Sequence, residues 1–285
     1  MGQLITIVGV AGIYALLALG LVLVYRTSRV LNLAHGEMAI LLGYIAVAIA
    51  SASVPAPFAL LAAVLIGGAL GWCVFRLCMQ HIMAEPPHVG LMMTVGLAII
   101  LHGLMIILFA GKSASVDWGM AGQLQVFGDS IAKADLVALV VSWIGVAVLI
   151  AVYQFTHFGL QMRAIAERVM LAAQRGINVN RIVGLSWMMA VAAAALAGIL
   201  HGERSLLSLS AVIIGVNALI AALIGGMDSM KGAIFGAFLV AISEDLTSRL
   251  LEPRYATLAP VLILLIVMVV RPWGLFGSPE EIKRV

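Results

Sequence analysis

The stretch QLITIVGVAGIYALLALGLVLVY, Gln3 to Tyr25, carries no charged side chain in 23 residues. As a helix it would run about 34 Å, enough to cross a bilayer whose hydrocarbon core is roughly 30 Å thick. Met1 and Gly2 ahead of it bear no basic side chain, whereas Arg26 and Arg29 follow it closely. A cleaved secretory leader carries its charge on the other side, so this segment is expected to remain as a span with its N-terminus outside.

Outward from this segment, eight further apolar stretches recur: 37–51, 57–79, 91–110, 136–155, 184–201, 206–224, 232–247 and 256–270. Three of them (37–51, 184–201, 232–247) are short or rich in small residues. One is expected to be re-entrant or broken, a form tolerated where backbone lines a protein-buried cavity. Whole-chain composition agrees. Of 285 residues 64% are hydrophobic and only 10% charged, with a mean hydropathy of +1.16. Soluble domains run near 25% charged, so soluble and disordered classes are excluded and an all-α polytopic membrane bundle of about 8–9 helices remains.

Alternating nine spans from an outside N-terminus puts the C-terminus in the cytoplasm. It also assigns eleven of the 16 Lys and Arg residues to cytoplasmic segments, among them Arg163, Arg168, Arg175, Lys283 and Arg284. Lys112, Lys133, Arg204, Arg249 and Arg254 fall outside, a split that obeys the positive-inside bias. A net charge of +3 is too small and dispersed for nucleic acid. Cys73 and Cys78 lie five residues apart, on different helix faces, and read as apolar fillers.

Two connections are long. The outer one, 111–135, holds Asp117, Asp129, Asp135, Lys112 and Lys133 and is expected to be a solvated loop that helps dock an extracytoplasmic protein. Its Gly111-Lys112-Ser113 mimics the tail of a phosphate loop, but Ile106 occupies the place of the required glycine. The inner one, 156–183, has helical propensity over 162–175 and a natural stop at Gly176. Ile165, Val169 and Ala172 share one face, so a single short amphipathic helix is expected, resting on the bilayer interface or in a groove of a soluble partner.

Further motifs stand along the chain. They are Tyr14-Ala15-Leu16-x-Ala18-Leu19-Gly20; Leu31-Asn32-Leu33-Ala34-His35-Gly36-Glu37 with Gly43-Tyr44; Thr94-Val95-Gly96-Leu97; and Ala172-x-x-x-Gly176-Ile177-Asn178-Val179-x-Arg181. Gly225-Gly226-Met227, Gly232-Ala233, Glu244 and Arg271-Pro272-Trp273-Gly274-Leu275-Phe276-Gly277 complete the set. Together they span about residues 10 to 277, and in this order they resemble the LivH-type permease family of branched-chain (hydrophobic) amino acid ABC importers.

The resemblance implies one transmembrane permease domain over 1–285 in a bacterial cytoplasmic membrane. It implies a second permease, related or identical, two cytoplasmic ATPases that bind the ATP and Mg, and a soluble binding protein outside. The loop 156–183 then carries the ATPase-coupling residues Arg163, Ala166, Ala172, Gly176 and Ile177. A rival reading is a secondary transporter driven by an ion gradient. Such proteins show internal repeats and intramembrane carboxylates, and neither is visible in this sequence.

Polar residues at membrane depth are costly and mark pathways or helix contacts. Asn32, His35 and Glu37 are candidates for a gate; in the plainer reading Glu37 pairs with Arg29 while His35 caps a helix. Thr94, Asn217 and Glu244 are further pathway candidates. The plainer alternatives are a bond from Thr94 to its own helix, helix–helix adhesion for Asn217 and His102, and ion pairing of Glu244 and Asp245 with Arg249 or Arg254. No catalytic or metal-binding motif occurs, so neither a catalytic residue nor a resident metal is expected.

Overall fold

The computed structural model describes residues 2–278 except 53, 84, 110–111, 115–121 and 127–128. Gly111, Asp117, Lys283 and Arg284, named above, lie outside the described residues. In chain order the elements are α1 (Gly2–Ser28), α2 (His35–Ser51), α3 (Ala56–Leu77) with a 3-10 turn at Met79–Ile82, and α4 (Pro87–Phe109). Then come β1 (Gln123–Val126), β2 (Asp129–Ala132), α5 (Lys133–Phe155), α6 (His157–Glu167), α7 (Val169–Gln174) and α8 (Val179–Arg204). A 3-10 turn at Leu209–Val212 leads into α9 (Ile213–Gly225), followed by α10 (Met230–Leu250), a turn at Pro253–Tyr255, and α11 (Leu258–Val270).

Each of the nine apolar stretches holds a helix, and six helical segments among the described residues are long and apolar enough to cross a membrane: α1, α3 with the turn that follows it, α4, α5, α8, and α11 together with the turn before it (Pro253–Val270). α2 and α9 are shorter. The most apolar window of α1 is 83% buried and that of α8 72%, against 17% for α4 and 11% for α11. Apolar character alone does not separate centre from rim here; small residues do. On α8, Ala190 and Ala193–Ala195 are buried, and glycines of the neighbouring helices meet it backbone to backbone. A Cβ on Gly71 would stand 2.4 Å from the Trp187 carbonyl oxygen, and one on Gly198 would stand 1.9 Å from that of Ala39. Close approach of this kind drives helix association where the solvent is as apolar as the side chains.

The bundle contains a repeat that the sequence does not display. Helix α1 packs on α10 as α8 packs on α3, and α1 touches α9 as α8 touches α2. Likewise α2 lies on α3 and α4 as α9 lies on α10 and α11. The central helices α1 and α8 are antiparallel, Gly20 meeting the Ala190 carbonyl while Leu16 and Leu196 converge on Gly145. The two triplets α1–α2–α3 and α8–α9–α10 are therefore related in inverted fashion. They cross at Gly36 and Gly215, where a Cβ on Gly215 would lie 2.3 Å from the Gly36 Cα.

Both short helices begin inside the bundle. After α1, Arg29 adopts a left-handed backbone with φ 56° and breaks the helix. The chain then climbs along α4. Val30 packs on Gly90, and the Thr94 hydroxyl donates to the Leu31 carbonyl at 2.9 Å. Asn32 Oδ1 accepts the Ala34 N–H at 3.2 Å, a local turn that launches α2. Tyr44 on α2 stacks on Phe109 of α4 at 4.5 Å and bonds the Lys112 carbonyl, so the two helices run parallel to the same end.

Two loop expectations change. The 111–135 connection contains a β-hairpin, paired from Gln123–Ala132 to Val126–Asp129, rather than only solvated chain. The expected single helix over 162–175 is two, α6 and α7, broken where Arg168 takes extended φ/ψ of −151° and 100°. The break resets the helical phase. Ile165 and Ala172 stay buried at 1% and 4%, but Val169 turns outward at 47% exposure.

Candidate functional site

Three places gather the polar residues singled out above. The first is the α6–α7 elbow. Thr156 caps α6, its hydroxyl accepting the Gly159 N–H at 3.1 Å. Met162 and Ile165 are buried, and Arg163 donates to the Tyr153 carbonyl while its guanidinium lies 5.5 Å over the Tyr153 ring. The Ala166 carbonyl accepts from Arg29 at 3.5 Å. The elbow is thus tied to α1 and α5. At its far end Gly176 has φ +82°, and a Cβ added there would meet nothing within 4 Å, so backbone conformation rather than space selects glycine. Val169, Met170 and Leu171 project outward on α7, beside a depression of about 560 Å³ that includes Arg168, Arg175, Ala172 and Ile177.

At the second place the segment 32–37 does not act as one cluster. Asn32 is buried and serves its own turn. His35 does not cap α2. It is 1% exposed and fills the hollow beside Gly20. Glu37 turns away from Arg29, which stacks over Tyr25 at 5.7 Å. Instead Glu37 lines a recess with His102 of α4. Thr94 bonds back to Leu91 at 2.9 Å, as the plainer reading holds, and in the same geometry ties Leu31 to α4.

The third place joins candidates that lie far apart in sequence. Asn217 on α9 donates from Nδ2 to Glu244 Oε1 of α10 at 2.6 Å and to the Tyr14 hydroxyl of α1 at 3.2 Å. Tyr14 in turn donates to Glu244 Oε2 at 2.7 Å. Glu244 is therefore not ion-paired. Its neighbour Asp245 takes Arg249 at 2.8 Å, and Arg254 pairs with Glu252. A carboxylate inside the bundle is stabilised by two donors, while Asn217 Oδ1 has no partner. Tyr14 is legible in the sequence only as part of a motif; its partner 230 residues away leaves no local signal. Nearby, Asp135 accepts from Arg204 at 2.5 Å and from Thr6 at 2.9 Å, linking α1, α5 and α8.

Among the described residues no group of three or more His, Cys, Asp or Glu is placed to hold a metal ion.

Comparison with known proteins covers the same ground from end to end. The chain is 27% identical to the high-affinity branched-chain amino acid transport system permease protein LivH of Salmonella typhimurium, over 95% of this chain and 93% of the relative. It is 27% identical to the permease protein BraD of the same type of system in Pseudomonas aeruginosa, over 99% and 97%. A probable LivH of Methanocaldococcus jannaschii is 26% identical over 96% and 92%. No solved structure matches the chain. The model of the permease component of branched-chain amino acid transport systems matches residues 3–270, so this multi-pass membrane protein belongs to that family.

Proposed function

We propose that the chain is the membrane-spanning subunit of an ABC importer that carries a branched-chain or other hydrophobic amino acid across the bacterial cytoplasmic membrane. The observation that carries this reading is the similarity over residues 3–270 to permeases of branched-chain amino acid transport systems. ATP and its Mg are bound and used by two partner ATPases, a second permease completes the pore, and a soluble binding protein delivers cargo from outside. The chain crosses the membrane nine times, α2 and α9 being the broken passes, with its N-terminus outside and its C-terminus in the cytoplasm.

In this reading the α6–α7 elbow is the lever. An apolar knob of Val169, Met170 and Leu171 between two arginines suits a groove on a soluble protein. Motion received there passes through Arg163 to α5 and through Ala166 and Arg29 to α1. A bistable bundle biased by ATPase closure then opens to either side in turn.

The test is purification of the tagged chain from its native membrane, followed by reconstitution with its co-purified partners. ATP-dependent leucine uptake that requires the soluble binding protein is the expected result. Uptake by the chain alone, driven by an ion gradient without nucleotide, overturns the reading in favour of a secondary transporter, to which the inverted repeat and Glu244 also speak. Gly176→Val, which forces a β-branched residue into a left-handed backbone, is expected to leave assembly intact and reduce uptake per ATP hydrolysed.

A further inference from the structure

The recess between α2 and α4 holds about 310 Å³ and is lined by Leu33, Glu37, Val95, Ala98, Ile99 and His102. Its depth follows from the broken start of α2. Going up α4 from its first turn, Gly90 meets Val30, Thr94 meets Leu31, and His102 shares the recess with Glu37. His102 stands 15 residues beyond Pro87 in a helix of 23 residues, about 22 Å along it. The carboxylate and the imidazole therefore sit well inside the apolar slab, on one recess.

Ionisable groups at that depth are expensive against lipid and are retained where they face a partner or a pathway. Among the described residues neither Glu37 nor His102 has a side-chain hydrogen bond or ion pair to another side chain, whereas Glu244, also a carboxylate inside the bundle, has two donors. Glu37 and His102 offer an acceptor and an N–H donor on the rim of a recess whose remaining four side chains are apolar. That is the complement of an aliphatic amino acid zwitterion: one acceptor for an ammonium, one donor for a carboxylate, and an apolar wall for the side chain. Beside the mouth, Gly96 and Gly103 of α4 have nothing within 4 Å of a Cβ position, a smooth strip against which another helix can close.

We propose that this recess is a way-station for the transported amino acid, with Glu37 receiving its ammonium and His102 its carboxylate. Leu33, Val95, Ala98 and Ile99 contact its side chain, and the second permease covers the mouth. The inference rests on the importer reading above and adds the place and polarity of binding.

The test uses the reconstituted complex in proteoliposomes, with leucine as the probe. In a background with Cys73 and Cys78 replaced by Ala, Ala98→Cys is labelled with a maleimide during turnover. Leucine is expected to slow that labelling, and Glu37→Gln is expected to abolish the protection. The same Glu37→Gln change lowers maximal leucine uptake about tenfold, the loss of one charge-assisted hydrogen bond, while Glu37→Asp restores most of it. His102→Ala has a smaller effect in the same direction. Unprotected Ala98→Cys in a complex that takes up leucine overturns the proposal, even where Glu37→Gln fails to assemble. So does Glu37→Gln with wild-type uptake and protection. A wild-type complex that takes up no leucine removes the importer reading itself, and this inference with it.

Discussion

The two inverted triplets are held by different chemistry. Where α8 meets α2 and α3, the contact is made of glycine, alanine and backbone: Gly67 on Val191 and Ala195, Gly71 on Trp187, Gly198 on Ala39. Where α1 meets α9 and α10, a hydrogen-bonded trio of Tyr14, Asn217 and Glu244 occupies the junction. One arrangement is close-packed and tolerates no added atom. The other is polar and keeps donors and acceptors that can exchange partners. A lipid-embedded bundle can thus use surface fit in one half and hydrogen bonds in the other to hold equivalent crossings.

The largest expected effect is on the close-packed side. Gly198→Leu places carbon onto the Ala39 carbonyl, where neither backbone can yield, and is expected to cost about 3 kcal/mol or more. Thermal unfolding in detergent, read by size-exclusion profile, checks this; an unchanged midpoint would break the comparison. Glu244→Ala leaves Tyr14 and Asn217 without their shared acceptor and is expected to cost roughly 1–3 kcal/mol. A double-mutant cycle with Asn217→Ala should then show non-additivity, since both changes dismantle one network.

Tyr14→Phe removes one donor to Glu244 and one acceptor of Asn217 and sharpens the contrast, with an expected loss of about 1 kcal/mol, from an average of about 0.6 kcal/mol per hydrogen bond between membrane helices. Smallest of all, Gly96→Ala on the open face of α4 should leave the isolated chain as stable or gain up to about 1 kcal/mol from helix propensity. Weakened association with the second permease in that variant would show that the smooth strip is covered in the assembly.

Much of the bundle is legible because hydrophobic length is written locally. Every apolar stretch yields a helix, and Gly176 stops one as its φ requires. What stays hidden depends on distance. The inverted repeat rests on packing partners rather than matching residues: position 36 faces 215, but the side chains around them differ. The elbow at Arg168 interrupts a run of good helix formers and leaves no local mark: a continuous helix would bury Ile165 and Ala172 as well, and only the outward turn of Val169 tells the two apart. Of the polar candidates, Asn217 and Glu244 meet, whereas Asn32, His35 and Glu37, close neighbours in sequence, point to a turn, a packing hollow and a recess. Neighbourhood along the chain misleads there because a helix start fans successive side chains in different directions.

The corner between α9 and α10 has a lock that reaches back from the far side of α11. Gly226 and Gly274, with φ of +108° and +83°, pack backbone on backbone. Leu275 and Phe276 donate to the Ile224 and Gly225 carbonyls at 2.9 Å, and Ser278 donates to Asp228 at 3.0 Å. The groups that close this bend thus stand about 50 residues further along the chain, on the other side of α11. Removing residues 271–278 would leave α9 and α10 joined by a bend whose carbonyls at Ile224 and Gly225 have lost their donors, so the tail after the last helix is a fastener for the corner rather than a loose end.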